Sequence, residues 1–205
     1  KTILGALPEQ VIPDIEMNNY SLITKATSDR NGISKDIQNV IYGICDLLGI
    51  EENPIETVFD KNRINPHRFE IFGKNAELTF INDSKATSFE PSRFALKSNK
   101  NIFWIVGGLP KMGDRFQLGK IKKNIIKAYI IGKSMKIFKK QLKGKVDLKL
   151  CKTLEKAVTS IFQDTKKVKN KRITILLSPC SASYDQFGNF EERGDSFKKL
   201  IRKKF

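Results

Sequence analysis

What this chain holds little of narrows its chemistry quickly. Among 205 residues there are three cysteines and one histidine. Cys45, Cys151 and Cys180 are far apart, odd in number and never in a Cys-x-x-Cys pair. That spacing argues against a disulfide framework or a zinc site, and fits a reducing cytoplasm. His67 has no cluster of carboxylates near it in sequence, so a metal site is not expected. It also lies far along the chain from Cys180, which therefore reads as a packing residue rather than a nucleophile. No apolar run reaches the length of about eighteen residues that a membrane-spanning helix needs. A Gly-x-Gly-x-x-Gly fingerprint is absent, so no dinucleotide is indicated. Gly132-Lys133-Ser134 imitates the end of a Walker P-loop, but the glycine required five positions earlier is Lys127. The phosphate cradle cannot form there. Repeats and low-complexity tracts are missing too. The chain opens Lys1-Thr2-Ile3 with no initiator Met and no signal-peptide pattern. It is expected to be a fragment whose amino-terminal part is absent.

Charge of one sign is what the chain has in excess: the formal net charge is +16. The lysines lie thickest over residues 120–171, mostly at polar positions between apolar ones. Neither a basic and aromatic stacking platform nor helix-turn-helix or zinc-finger spacing accompanies them. They read as solvated surface, and no nucleic-acid partner is expected.

The apolar pattern gives the architecture. Residues 36–48 read as a helix, with Ile37, Val40, Ile41, Ile44, Leu47 and Leu48 on one face and Gly49 stopping it. Residues 63–67, with Pro66, read as a linker. Residues 68–81 read as a hairpin turning at Gly73-Lys74-Asn75. Strands are expected at 101–106, 128–131, 146–151 and 172–177, and helices after residue 88, at 153–163 and at 190–202. That alternation predicts an α/β fold with a doubly wound, mostly parallel, Rossmann-like sheet.

Three of the expected strands end in unusual loops. The first, Asn82-Asp83-Ser84-Lys85-Ala86-Thr87-Ser88, offers a carboxylate, an ammonium and three hydroxyls within one turn. The second, residues 107–114, pairs Gly107-Gly108 with Lys111. Its glycines let a ligand or another loop approach closely, and the lysine is a point charge for a carboxylate or phosphate. The third, residues 178–188, runs through small hydroxyl residues into a helix starting near Phe190. Backbone N–H groups at a helix start form an anion site, and Ser183 can donate to the same anion. In a parallel sheet such loops share one edge and can surround one crevice.

These residues resemble the Mur ligases of peptidoglycan synthesis. The carboxyl-terminal domain of that family opens with His-Arg-x-Glu, here His67-Arg68-Phe69-Glu70. It continues with Asn-Asp-Ser-Lys-Ala-Thr-Asn, here residues 82–88 with Ser88 departing. A Gly-Gly loop with a lysine follows, here Gly107, Gly108 and Lys111. Residues 178–194 match the closing motif, Ser-Pro-Ala through Asp-Gln-Phe to Arg-Gly, except that Cys180 replaces its first Ala. Lys85-Ala86-Thr87 favours the branch that adds D-glutamate, since sister ligases differ at this point. The likeness is close over residues 66–205. Over 36–64 it is looser, as the end of a central ATPase domain, where only Asn39 survives of a His-Asn-x-x-Asn motif. Residues 1–35 match nothing recognisable.

The resemblance implies residues 1–65 as the remnant of a central ATP-binding domain and 66–205 as a carboxyl-terminal ligase domain. It implies ATP and Mg2+, with the main metal ligands and the P-loop outside this chain, so that the chain alone is expected to be inactive. ATP would phosphorylate the carboxylate of UDP-N-acetylmuramoyl-L-alanine, and the amine of D-glutamate would attack the acyl phosphate. Lys85, Thr87, Lys111, Ser183 and the Phe190 backbone would hold D-glutamate. Asn39, Arg68 and Asp83 would face the nucleotide. A cytoplasmic monomer is expected. The rival expectation is a degenerate, non-catalytic remnant or a basic module that binds nucleic acid.

Overall fold

The computed structural model describes residues 35–61, 65–169 and 171–205. The expectation for residues 1–34, and residues 63 and 64 of the expected linker, lie outside the described residues. The chain divides into two units, the first ending at Arg63 and the second running from Ile64 to Phe205.

In the first unit, α1 (Lys35–Leu47) and α2 (Glu52–Lys61) form a helical pair. Their small core holds Tyr42, Ile55 and Phe59, with Ile41 and Cys45 packed at its margin. The Tyr42 and Phe59 rings meet edge to face at 5.5 Å, and the Tyr42 hydroxyl donates to Glu56. The face read as buried from the sequence is mostly not: Ile37, Val40, Ile44 and Leu47 are each more than half exposed. Periodicity locates an apolar stripe, but α1 turns the neighbouring stripe of Gln38 and Tyr42 inward instead. Helix α2 went unread, because Asn53-Pro54 looks like a turn. Near a helix start a proline is harmless, its missing N–H being one that has no partner there anyway.

The second unit carries one six-stranded sheet in the order β1-β2-β6-β3-β4-β5. The strands are β1 (Glu70–Lys74), β2 (Leu78–Asn82), β3 (Ile102–Gly107), β4 (Ile125–Ile131), β5 (Asp147–Lys152) and β6 (Ile173–Leu177). Only β1 is antiparallel to its neighbour; the other pairings are parallel. The hairpin turns two residues later than the sequence suggested, with Asn75 N–H bonded to Leu78 O. Gly73 stays inside β1, at a register shift.

Parallel strands must be covered on both faces, and they are. Helices α3 (Phe89–Ser98) and α4 (Met135–Leu142) belong to one side, where Phe89, Leu96, Trp104, Phe116 and Phe138 share a core. On the other, α5 (Leu154–Thr165) and α6 (Phe190–Arg202) bury Val158, Ile161, Phe197 and Ile201 against Phe80, Ile105 and Ile175. Strand β6 is buried along its whole length. It lies between β2 and β3, as a run of five β-branched and leucine residues with no polar alternation suits. The expected doubly wound, mostly parallel sheet is what the chain builds.

Candidate functional site

The three loops follow the carboxyl ends of β2, β3 and β6, adjacent strands of the sheet. Backbone bonds lace them together. Asp83 N–H donates to Leu177 O at 2.7 Å, and Gly107 N–H to Pro179 O at 2.9 Å. Leu109 and Ala182 exchange N–H···O bonds of 3.0 Å in both directions. The freedom at Gly108, φ 137°, serves this contact: a Cβ there would overlap Ala182 O and the Ser181 hydroxyl. What approaches the paired glycines is thus another loop.

Two buried side chains hold these loops from beneath. Asp83 accepts from Phe69 N–H at 3.1 Å and from the Ser178 hydroxyl at 2.6 Å, tying β2 to β6 and to the segment before β1. Burial pushes its carboxyl up to about 6, against the Ser178 and Phe69 hydrogen bonds and the Arg68 charge. Arg193, only 1% exposed, donates from Nε to Ser84 Oγ at 3.0 Å. Its Nη1 donates to Ser181 O at 3.0 Å and its Nη2 to Ser84 O at 2.8 Å. Burial lowers its pKa to about 10 while Asp185 raises it, so the guanidinium stays charged at neutral pH. Ser84 Oγ in turn donates to Phe190 O at 2.7 Å. One guanidinium therefore fixes the first loop, the third loop and the start of α6 relative to each other. The sequence flagged no role for it. An arginine inside an amphipathic helix, next to a glycine, gives no sign that it points inward.

The structure also corrects the reading of His67 as a remote linker residue. It is 5% exposed, with Nδ1 2.9 Å from Asn82 Nδ2 and its ring 6.0 Å from that of Phe190. Glu70 accepts from His67 N–H, from Asn82 and from Lys198. His67 is thus part of the polar floor beside β2. Cys180 is fully buried, its Sγ 3.0 Å from Ser92 Oγ. Burial drives its thiol well above the ordinary range, countered by Ser92, which agrees with a packing role.

Of the residues singled out for an anionic ligand, Lys85 and Phe190 come together, the ammonium 3.8 Å from the ring centroid. Lys85 is half-buried and Thr87 exposed two residues on. Ser183 is buried, its carbonyl accepting from Gln186 and Phe187 N–H. Lys111 is exposed, on a loop anchored at both ends: Leu109 to Ala182, and Asp114 Oδ2 to Phe89 N–H at 2.7 Å. Those anchors adjoin Ser183 and the end of the first loop, but no contact joins Lys111 to Lys85 or Thr87. The start of α6 is less open than the sequence suggested. Asn189 Oδ1 caps Glu192 N–H, Glu192 caps Gly188 N–H, and Glu191 and Glu192 add negative charge at that end. Arg68 is exposed beside Asp83. Asn39 is half-buried on α1, in the other unit.

For a nucleotide, Arg68 offers a cation, and each Asp83 oxygen already accepts one hydrogen bond with a lone pair to spare. These two fit the polar edge of such a group. A divalent metal does not fit: among the described residues, no three His, Cys, Asp or Glu side chains gather to hold one.

No family model matches the sequence. The chain is 37% identical over 201 residues to the UDP-N-acetylmuramoylalanine–D-glutamate ligase of Wolbachia sp. subsp. Brugia malayi, covering 97% of this chain and 39% of that one. It is 43% identical over 136 residues to the Nitrobacter winogradskyi ligase of the same name, covering 66% of this chain and 29% of the relative. It thus spans well under half the length of the curated relatives it matches. Among solved structures, UDP-N-acetylmuramate-alanine ligase MurC from Thermotoga maritima superposes with a TM-score of 0.56 at 16% identity, over 82% of this chain and 37% of that one. MurF from Acinetobacter baumannii gives 0.55 at 14% identity, over 82% and 37%. With this fold and these relatives together, the chain belongs to the Mur ligase family, as a homologue of part of the UDP-N-acetylmuramoylalanine–D-glutamate ligases.

Proposed function

We propose that this chain supplies the acceptor half of an ATP-dependent, cytoplasmic ligase that joins D-glutamate to UDP-N-acetylmuramoyl-L-alanine in peptidoglycan synthesis, acting as a monomer. The observation that carries the reading is the Lys85–Phe190 pair at the crevice, fixed from below by Arg193. A cation resting on a ring face, at a distance favourable for cation–π attraction, can be drawn off by a carboxylate. Lys111, Thr87 and Ser183 with the Phe190 backbone would hold the carboxylates of D-glutamate, with Lys85 assisting. Arg68, Asp83 and Asn39 would face ATP, which when bound would supply the phosphoryl group that activates the acyl carboxylate. The reading places residues 1–65 with a central ATP-binding domain and 66–205 as the ligase domain. Phosphoryl transfer depends on positioning and charge neutralisation of the phosphates, and the chain contains no P-loop sequence. It should therefore release no phosphate from ATP in response to D-glutamate when assayed alone.

The test is amide NMR of the 205-residue chain titrated with D-glutamate and, separately, L-glutamate. Shifts clustering at Lys85, Thr87, Lys111, Ser183 and Phe190, larger for the D isomer, are expected. Shifts scattered over surface lysines, or none up to about 10 mM, a concentration above the usual range of KM, would refute the assignment of the crevice.

A further inference from the structure

We propose that a groove on the opposite edge of the sheet binds the phosphodiester backbone of a single nucleic-acid strand, without regard to base sequence. The groove, about 560 Å³, lies at the amino ends of β2 and β6. Its walls are the β1–β2 turn at Ala76 and Glu77, the end of α5 at Thr165, and the α5–β6 connection. Arg172 Nε donates to Ala76 O at 3.3 Å, clasping the two walls together. The candidate site lies at the carboxyl ends of these same strands, so the groove is a separate feature, and the proposal does not rest on the ligase reading.

Its rim carries Lys166, Lys169, Lys171 and Arg172 against one acid, Glu77. All four cations are exposed, and among the described residues none pairs with an acid. The neighbouring Lys167 and Lys127 are different, since both pair with the single carboxylate of Asp164. The carboxyl end of α5 accounts for a lysine in or next to its last turn, because the helix dipole acts over that turn alone. It does not account for Lys169, Lys171 and Arg172.

Shape selects among polyanions. The apolar residues in the groove, Leu78, Val168 and Ile173, are half-buried or buried, so the rim has no apolar anchor to insert into a bilayer. A recess lined by cations follows a strand better than it lies on a flat membrane surface. No aromatic ring lines it, so bases cannot stack and contact is limited to phosphates. The absence of base-reading motifs in the sequence removes specific recognition and leaves this non-specific mode open.

The experiment is fluorescence anisotropy of the full chain with a labelled oligo-dT strand of about 12 nucleotides, and with a mixed-sequence strand of the same length, over about 50–200 mM salt. Four phosphate contacts predict a slope of log K against log salt of about −3, alike for both strands. K166E/K169E/K171E should cut the slope to about −1 and weaken binding at least about tenfold at the lowest salt. K136E/K139E/K140E on α4 makes the same change in net charge at exposed positions and should bind within about twofold of the parent. Should the groove variant fail to fold by circular dichroism, K169Q/K171Q takes its place, with a slope of about −1.5 expected. Equal weakening by the groove and α4 variants would mean that net charge alone binds, and would overturn the proposal. So would retention on phosphatidylglycerol vesicles without binding of either strand.

Discussion

Removing the guanidinium of Arg193 should loosen the crevice before it unfolds the protein. In Arg193→Met the side-chain volume is roughly kept, but three hydrogen bonds of 2.8–3.0 Å are lost. Hydrogen bonds to a charged group contribute about 1.5–3 kcal/mol each, so the gross loss is about 5–9 kcal/mol. Against it stands the cost of burying the charge, several kcal/mol that the variant no longer bears. What is left behind decides the sign. Ser84 O and Ser181 O would be stranded where solvent reaches poorly, at about 1–3 kcal/mol each, whereas Ser84 Oγ keeps Phe190 O. A net loss of about 2–5 kcal/mol follows, or on the order of 10 °C in Tm for a unit of this size. Arg193→Lys retains the charge but not the planar fork that reaches two loops at once, and should recover less than half of the loss. Melting measures the stability. Hydrogen exchange at residues 84–88 and 181–187 tests the mechanism, since protection there should fall further than in β3 and β4. Melting within about 0.5 kcal/mol of the parent, with exchange at both loops unchanged, would refute the view that one buried cation holds the site together.

Two further outcomes are expected. Asp83, raised to about 6 by burial, binds its proton more tightly folded than unfolded. Its stabilising contribution is therefore complete below about pH 4 and is lost as pH rises through about 6, by about 3 kcal/mol in all. Glu70 and Asp164 titrate with the opposite sign, burial being outweighed by the His67 N–H and Lys198 for the first and by the lysines on the second. The difference in Tm between Asp83→Asn and the parent must accordingly be compared at pH 4 and pH 7. The variant should gain on the parent at the higher pH, and a constant difference would contradict the assignment. Gly108→Ala should cost at least about 2 kcal/mol, through φ 137° and overlap with the Ser181–Ala182 loop, and a denaturant midpoint unchanged from the parent would disprove that close approach.

Much of this architecture is legible in the residues because period and chemistry agree there. The bounds of α6 are read directly, since Phe197 and Ile201 repeat on one face and Asn189 is a good cap. Strand β4 is read too short, beginning at Ala128 rather than Ile125. Lys127 breaks the apolar run, and only the fold reveals that Asp164, thirty-seven residues on, receives its ammonium at 2.8 Å. Helix α4 goes unread for a similar reason, being eight residues long with three lysines among them. In the site, the ligand-like side chains Lys85, Thr87 and Lys111 announce themselves by type. Arg193 and His67, which position them, do not, and Asp83 shows its type but not its place beneath the loops, because all three act through burial, and burial is settled by partners from distant parts of the chain.

The insertion of β6 between β2 and β3 has a consequence for how the protein is made. β2 leaves the ribosome about ninety residues before the strand that pairs with it, and β3 about seventy before. Until β6 arrives, both present unpaired edges, a template for pairing with other chains. Parallel pairing across such separations is slow to close, and the first loop has no Ser178 hydroxyl to meet Asp83 until it does. The crevice therefore cannot be assembled until β6 has joined the sheet. A ribosome stalled before Ile173 would hold five strands in two unjoined pieces and no site, with aggregation as the nearest alternative.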